Sequence, residues 1–166
     1  VSIALVENGD LGRAFALYQQ GRDAARRFGD ADRILWFEVE RIYEWYWRGM
    51  WDEAVRLADE IVAQADAGSP SAAEQDARLL RARVRLGRDE QLPALNDSAR
   101  ALELGRRAGY PEMLVPALSL NAHVLESAGR SEEAAALASE LLSVWPKRCP
   151  TSYWVADLAF TLRRLG

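Results

Sequence analysis

Apolar residues recur along the chain at three- and four-residue spacing, interrupted at regular intervals by turn residues, and nowhere alternate with period two. Ala54, Leu57, Ala58, Ile61, Val62 and Ala65 form one such stripe, and Ala134, Leu137, Ala138, Leu141, Leu142 and Trp145 form another. A stripe of this kind covers one face of an amphipathic helix, because neighbours three and four apart lie on the same side of the cylinder. The pattern predicts helices over roughly 10–28, 31–48, 51–66, 70–87, 90–108, 111–128, 131–145 and 150–165, after the tail of an earlier helix in residues 1–8. The expected fold class is all-α, without a sheet.

The turns are periodic. Ala14, Ala54, Ala94 and Ala134 are spaced by 40 residues, and similar text surrounds them: Gly9-Asp10-Leu11-Gly12-Arg13-Ala14, Gly49-Met50-Trp51-Asp52-Glu53-Ala54 and Gly129-Arg130-Ser131-Glu132-Glu133-Ala134. The third copy, Asp89-Glu90-Gln91-Leu92-Pro93-Ala94, lacks the glycine. A second break falls half a period away, at Gly29-Asp30, Ser69-Pro70, Gly109-Tyr110-Pro111 and Cys149-Pro150. Two breaks per period mean two helices per repeat. Asp10, Asp30, Ser69, Ser131 and Thr151 are expected N-caps, and Gly29, Gly68 and Gly109 expected left-handed C-terminal caps. Asp52/Arg56, Glu44/Arg48 and Glu103/Arg107 are spaced for ion pairs on exposed helix faces. Alanine at the start of each second helix lets that helix approach its partner closely, where a larger side chain would overpack the contact.

The Gly-x-x-x-Glu-Ala core at 49–54 and 129–134, the small residues Ala82 and Ala122 seven before the glycine slot, and Pro146 closing the fourth unit resemble tetratricopeptide repeats. The 40-residue period exceeds the family's usual 34, Ile42 stands where the second unit would carry a small residue, and the third unit lacks its glycine. Phrases such as Arg100-Ala101-Leu102-Glu103-Leu104-Gly105 and Leu114-Val115-Pro116-Ala117-Leu118 are similar to the C-terminal repeat arrays of large bacterial signalling proteins, among them nucleotide cyclases and multidomain ATP-binding transcriptional regulators. The resemblance spans essentially the whole chain. It implies a right-handed α-α superhelix, a tetratricopeptide-like solenoid of about four 40-residue helix pairs, with the first helix of each pair lining a concave face.

Composition narrows the classes. At 166 residues the chain suits one domain, 1–166, and a helical pattern already under way at Val1 is expected of a piece of a longer protein. A formal net charge of −4 gives no concentrated basic surface of the sort that binds nucleic acid. Lys147 is the only lysine beside many arginines, a codon-level hint of a GC-rich bacterial source. The single Cys149 cannot form an internal disulfide, which suits a reducing cytoplasm. No apolar run approaches a membrane span, and the N-terminus has no charged and apolar signal pattern.

Chemistry-bearing residues are few. Residues 36–51 carry seven aromatic side chains, including Trp36, Tyr43, Trp45, Tyr46 and Trp47. Within the resembled repeat, the ninth position of each first helix is Tyr43, Arg83, His123 and Arg163, with Trp36, Trp47 and Glu40 beside the first of them and Glu126 one turn from His123. One reading makes Trp36, Tyr43, Trp47, Arg83, His123 and Arg163 a binding groove, aromatic at one end and cationic further along, suited to carboxylates. The other makes the aromatic mass packing, with Ile42, Trp45 and Tyr46 facing neighbouring helices. The only histidine, His123, has no partners at metal-ligand spacing and reads as a satisfied or solvent-facing imidazole; Cys149 reads as an inert thiol.

Glu132-Glu133, Asp52-Glu53 and Asp89-Glu90 stand in first helical turns, where negative charge suits the helix dipole. There is no glycine-rich phosphate loop, nucleophile elbow or metal-binding helix motif, so neither enzymatic activity nor a cofactor is expected. The expected function is a protein–protein interaction or effector-sensing module of a larger bacterial regulatory protein, holding a peptide segment or small ligand in its groove. The alternative is a structural spacer or homo-oligomerisation segment, in which Val155, Leu158, Leu162 and Leu165 form a bare terminal face for a homodimer.

Overall fold

The computed structural model describes residues 9–69, 71, 73–145 and 154–166, apart from the side chain of Asp32. The expectations for residues 1–8, Pro70, Pro146, Cys149, Pro150 and Thr151 lie outside the described residues. Among the described residues the chain is helical throughout and has no strand. Eight helices follow one another: α1 (Leu11–Phe28), α2 (Ala31–Trp47), α3 (Trp51–Asp66), α4 (Ala73–Gly87), α5 (Gln91–Ala108), α6 (Pro111–Ser127), α7 (Ser131–Val144) and α8 (Trp154–Leu165). The chain divides into two compact units, Val1–Leu80 and Arg81–Gly166, with the boundary inside α4.

One turn recurs every 40 residues. After α2, Gly49 takes φ 76° and the next amide, Met50, donates back to the Trp45 carbonyl at 2.8 Å. After α6, Gly129 takes φ 75° and Arg130 donates to Leu125 at 2.9 Å. Asp89 follows α4 in the same geometry, with φ 60° and a 2.9 Å bond from Glu90 to Arg85, the only positive φ outside glycine among the described residues. Each turn closes the carbonyls that a helix end leaves open and leads straight into the next helix. Four residues after these returning amides, Ala54, Ala94 and Ala134 are fully buried.

The returning amide also explains where the helices start. Asp10 and Asp30 cap α1 and α2, accepting from the amides of Arg13 and Arg33 at 3.3 and 3.0 Å. Ser131 is not a cap: it is the first residue of α7, and the cap position is Arg130, whose side chain makes no capping bond. Met50 and Glu90 hold the cap position of α3 and α5 in the same way. Ser69 donates its amide to Gln64 at 3.0 Å in the turn after α3, and α4 begins only at Ala73.

In the first unit, α2 packs between α1 and α3. Val39 and Ile42 of α2 meet Leu57, Ala58, Ile61 and Val62 of α3, with Ala73, Ala77 and Leu80 completing the core. Each large aliphatic side chain buried here contributes about 1.5–3 kcal/mol. A smaller cluster joins Ala14, Phe15 and Tyr18 of α1 to Phe37 of α2. Gly21 admits the Phe37 ring, since a Cβ there would collide with it. Of the expected exposed ion pairs, Glu44 meets Arg48 at 2.8 Å and Glu103 meets Arg107, while Arg56 reaches forward to Glu60 at 2.9 Å.

In the second unit, α6 is the central helix and packs against α5, α7 and α8. Residues 117–122 of α6 are all buried, so polar Ser119 and Asn121 must find partners inside. Ser119 donates to the Trp154 carbonyl at 2.7 Å and Asn121 to the Ser98 hydroxyl at 3.4 Å. On α8, Leu158 is buried, Val155 and Leu165 are half-buried and Leu162 is exposed, so little of the expected terminal face is bare.

The left-handed region costs an L-residue about 1–2 kcal/mol, less for Asp, and costs glycine almost nothing. Asp89→Gly is therefore expected to stabilise the chain by about 0.5–1 kcal/mol, and Gly129→Ala to destabilise it by about 1 kcal/mol. Thermal melts of the two variants should shift in opposite directions.

Candidate functional site

The aromatic run of α2 divides between core and surface by helical geometry. Ile42 is buried, and Tyr43, Trp45 and Tyr46 pack against the same core cluster. Trp36, Glu40, Tyr43 and Trp47 fall at spacings of four, three and four, which places them within about 60° of arc along about 16 Å of helix. Trp36 and Trp47 remain 44% and 46% exposed. Between them Tyr43 is half-buried and donates its hydroxyl to Asp76 of α4 at 3.3 Å. Trp36 meets Tyr18 of α1 edge to face at 5.9 Å, and Trp47 meets Tyr46 likewise at 5.1 Å. Both tryptophans are thus steadied by a neighbouring ring while part of their surface stays open.

The polar component of this face is acidic. Burial pushes the Glu40 carboxyl up to about 7, against a hydrogen bond from Tyr18 that lowers it, and the charge of Asp76 raises it further. Burial therefore favours the protonated form of Glu40. Two arginines of this region meet Glu38 instead: Arg41 of α2 stacks on Trp45 at 4.7 Å and pairs with Glu38 at 2.5 Å, and Arg26 of α1 reaches the same Glu38 at 3.2 Å.

In the second unit Arg83 of α4 and His123 of α6 converge on one carboxylate, Asp157 of α8. The Arg83 side chain is 8% exposed and forms an ion pair with Asp157, whose other oxygen lies 2.9 Å from His123 Nδ1. An ionised carboxylate only accepts, so Nδ1 carries the proton in this bond. Phe160 covers the imidazole with ring centroids 4.0 Å apart. Burial works to raise the Asp157 carboxyl, but the His123 hydrogen bond and the Arg83 charge outweigh it and hold the group below the ordinary carboxylate value. The protein's own carboxylate thus occupies the place where the sequence reading expects a ligand's. Arg163 is exposed on the last turn of α8.

A second buried carboxylate, Asp97 of α5, is gripped by Arg81 at 2.7 and 2.5 Å and by Arg85 at 2.6 Å. Arg81 and Arg85 are one helical turn apart and share a face of α4, whereas Arg83 points to the opposite side, so one helix serves both acids. Asp97 and Asp157 were not singled out from the sequence. Their signal is an acid inside an apolar stripe: Ala94, Asp97, Ser98, Ala101 on α5 and Trp154, Asp157, Leu158, Thr161 on α8, all buried.

An open groove of about 780 Å³ lies among α5, α6 and α7, floored by Leu102, Asn121 and Leu125. Its rim charges are satisfied by one another, Arg106 with Glu140 and Arg130 with Glu133, each at 2.6 Å. Among the described residues no cluster of His, Cys, Asp and Glu is placed to hold a metal ion, and no helix is long and apolar enough to cross a membrane. No family model, curated protein or solved structure matches the chain.

Two acids give opposite pH signatures. Glu40 binds its proton more tightly in the folded chain, between the ordinary 4.5 and about 7, so its contribution to stability falls as pH rises through that window. Glu40→Gln should stabilise the chain by on the order of 3 kcal/mol at pH 8 and by little at pH 5, measured by denaturant unfolding. Asp157 is depressed below 3.8, so its contribution is present above that value and is lost as pH falls through the folded-state value. Asp157→Asn strands a buried guanidinium and should cost on the order of 3 kcal/mol at pH 7. The gap between this variant and the wild type should narrow in acid.

Proposed function

We propose that the chain is a recognition module built from tetratricopeptide-like helix pairs, part of a larger regulatory protein, which binds a peptide segment of a partner through the aromatic face of α2. It works by binding alone. The 40-residue recurrence of the left-handed turn and of the buried alanine supports the repeat reading. The observation that carries the functional reading is the pair of half-exposed tryptophans, Trp36 and Trp47, flanking Tyr43 on one stripe.

Large rigid side chains of this kind offer contact area at little conformational cost and are favoured at the centre of binding surfaces. Packing does not require their exposure, because the core beneath is completed by Ile42, Val39 and α3. Arg83 and His123 serve Asp157 in the folded chain, which leaves the recognition role with Trp36, Tyr43 and Trp47.

Panning a random peptide library on the chain, with Trp36→Ser/Trp47→Ser as counter-target, tests this. Enriched peptides are expected to lose at least about tenfold in affinity for the double variant, a difference of about 1.4 kcal/mol, while its helicity stays that of the wild type. Peptides that bind both proteins equally, or no enrichment at all, would overturn the proposal.

A further inference from the structure

Gly21 lets α1 and α2 approach closely, with the Phe37 ring in the space a Cβ would fill. The next residue, Arg22, is caught in that contact and is only 9% exposed. Burial strips a guanidinium of its hydration, so its charge has to be compensated from inside the protein. Among the described residues Arg22 donates only to the neutral amide oxygen of Gln19, and its Nε–H is buried without a partner. Arg41 of α2 repeats the pattern. Its Nε–H is likewise buried and unpartnered, although a terminal nitrogen reaches Glu38 at 2.5 Å. Both arginines line one cavity of about 10 Å³, walled on its apolar side by Tyr18 and Phe37.

We infer that this cavity is a binding site for one small monovalent anion, held by the Nε–H groups of Arg22 and Arg41. The inference is independent of the aromatic face of α2. The acids nearby leave positive charge in excess. Glu38 is shared between Arg41 and Arg26, at 2.5 and 3.2 Å. Glu44 also lines the cavity, but Arg48 holds it at 2.8 Å. Asp23 is kept from Arg22 by Gln19, whose amide nitrogen donates to both Asp23 oxygens at 3.2 Å. Burial loosens the hold of Arg41 on its proton; the Glu38 charge opposes this, and the charges of Arg22, Arg26 and Arg56 loosen it further. A bound anion accepts from both unpartnered donors and relieves the repulsion between their guanidinium groups. A water molecule could serve the donors but not the charge. The cavity has room for about one atom of water's size, which suits a halide ion or one oxygen of a carboxylate. A dianion is disfavoured by its bulk and by Glu44 in the wall. Because the donors come from two helices, the ion joins α1 to α2 and stabilises the folded chain by binding to it.

Four probes test the site: sodium chloride, sodium acetate, acetamide as the neutral counterpart of acetate, and sodium sulfate as the dianion. Each is titrated into the 15N-labelled chain while the Nε–H signals of Arg22 and Arg41, assigned with Arg22→Lys and Arg41→Lys, are followed by NMR. Both signals are expected to shift saturably with chloride or acetate, at least about fivefold tighter than with sulfate at equal ionic strength, and not with acetamide. Tighter chloride identifies the occupant as a free ion, and tighter acetate as a carboxylate; either result supports the site. In denaturant unfolding the midpoint of the wild type should rise with the concentration of the tighter anion, and that rise should be lost in Arg22→Met. The titrations of the wild type stand alone if that variant does not fold. Acetamide shifts equal to those of acetate would show a cavity filled by water and overturn the inference. Shifts that follow ionic strength whatever the anion, or no saturable shift at either arginine, overturn it as well.

Discussion

The left-handed residue that ends α2, α4 and α6 is the constraint on which the local architecture depends. With φ between 60° and 76° at Asp89, Gly129 and Gly49, the following amide turns back onto the helix just completed and the chain enters the next helix at once. That abrupt return brings a fully buried alanine to the first turn of the next helix. Glycine is the cheapest residue for such a backbone, and Asp is among the few others that tolerate it. In the helices that follow these turns the cap positions are Met50, Glu90 and Arg130, none of which makes a side-chain capping bond.

Beyond the turns, the two units are built on different balances. The first is a packed aliphatic core with an aromatic stripe left partly open. The second places two carboxylates, Asp97 and Asp157, among buried side chains and neutralises them with arginines from α4. Buried charge of that sort contributes little net stability when paired and costs several kcal/mol when a partner is lost, so it favours one arrangement of helices over near alternatives. Glu40 is the contrasting case, an acid half-buried beside another acid and served by a hydroxyl.

Among the described residues helix type and most boundaries were legible from apolar spacing and turn residues, because both follow from local backbone geometry; α4, expected from 70, begins at Ala73. The error at Ser131 came from treating every serine before an acidic turn as a cap, when the returning amide had already set the helix start at Arg130. Within the site, helical phase separated Ile42, Trp45 and Tyr46 from Trp36, Tyr43 and Trp47; the structure places the first three in or against the core, but Tyr43 with them, and leaves Trp36 and Trp47 partly exposed. The same phase made Arg83 and His123 look available to a ligand. What it could not supply was Asp157, 74 residues from Arg83 and 34 from His123.

The sequence by itself determined an all-helical chain, a 40-residue recurrence of turns and alanines, and the stripe on which Trp36, Tyr43 and Trp47 stand. These are properties of neighbours in the chain, fixed by the helical period and by which residues accept a positive φ. Only the tertiary structure decided how the buried charges are paired. Arg83 and His123 are spent on Asp157, while Glu40 is half-buried with the Tyr18 hydroxyl as its hydrogen-bond partner. Ion pairing and desolvation depend on which side chains meet across helices, and no spacing along the chain encodes those distances.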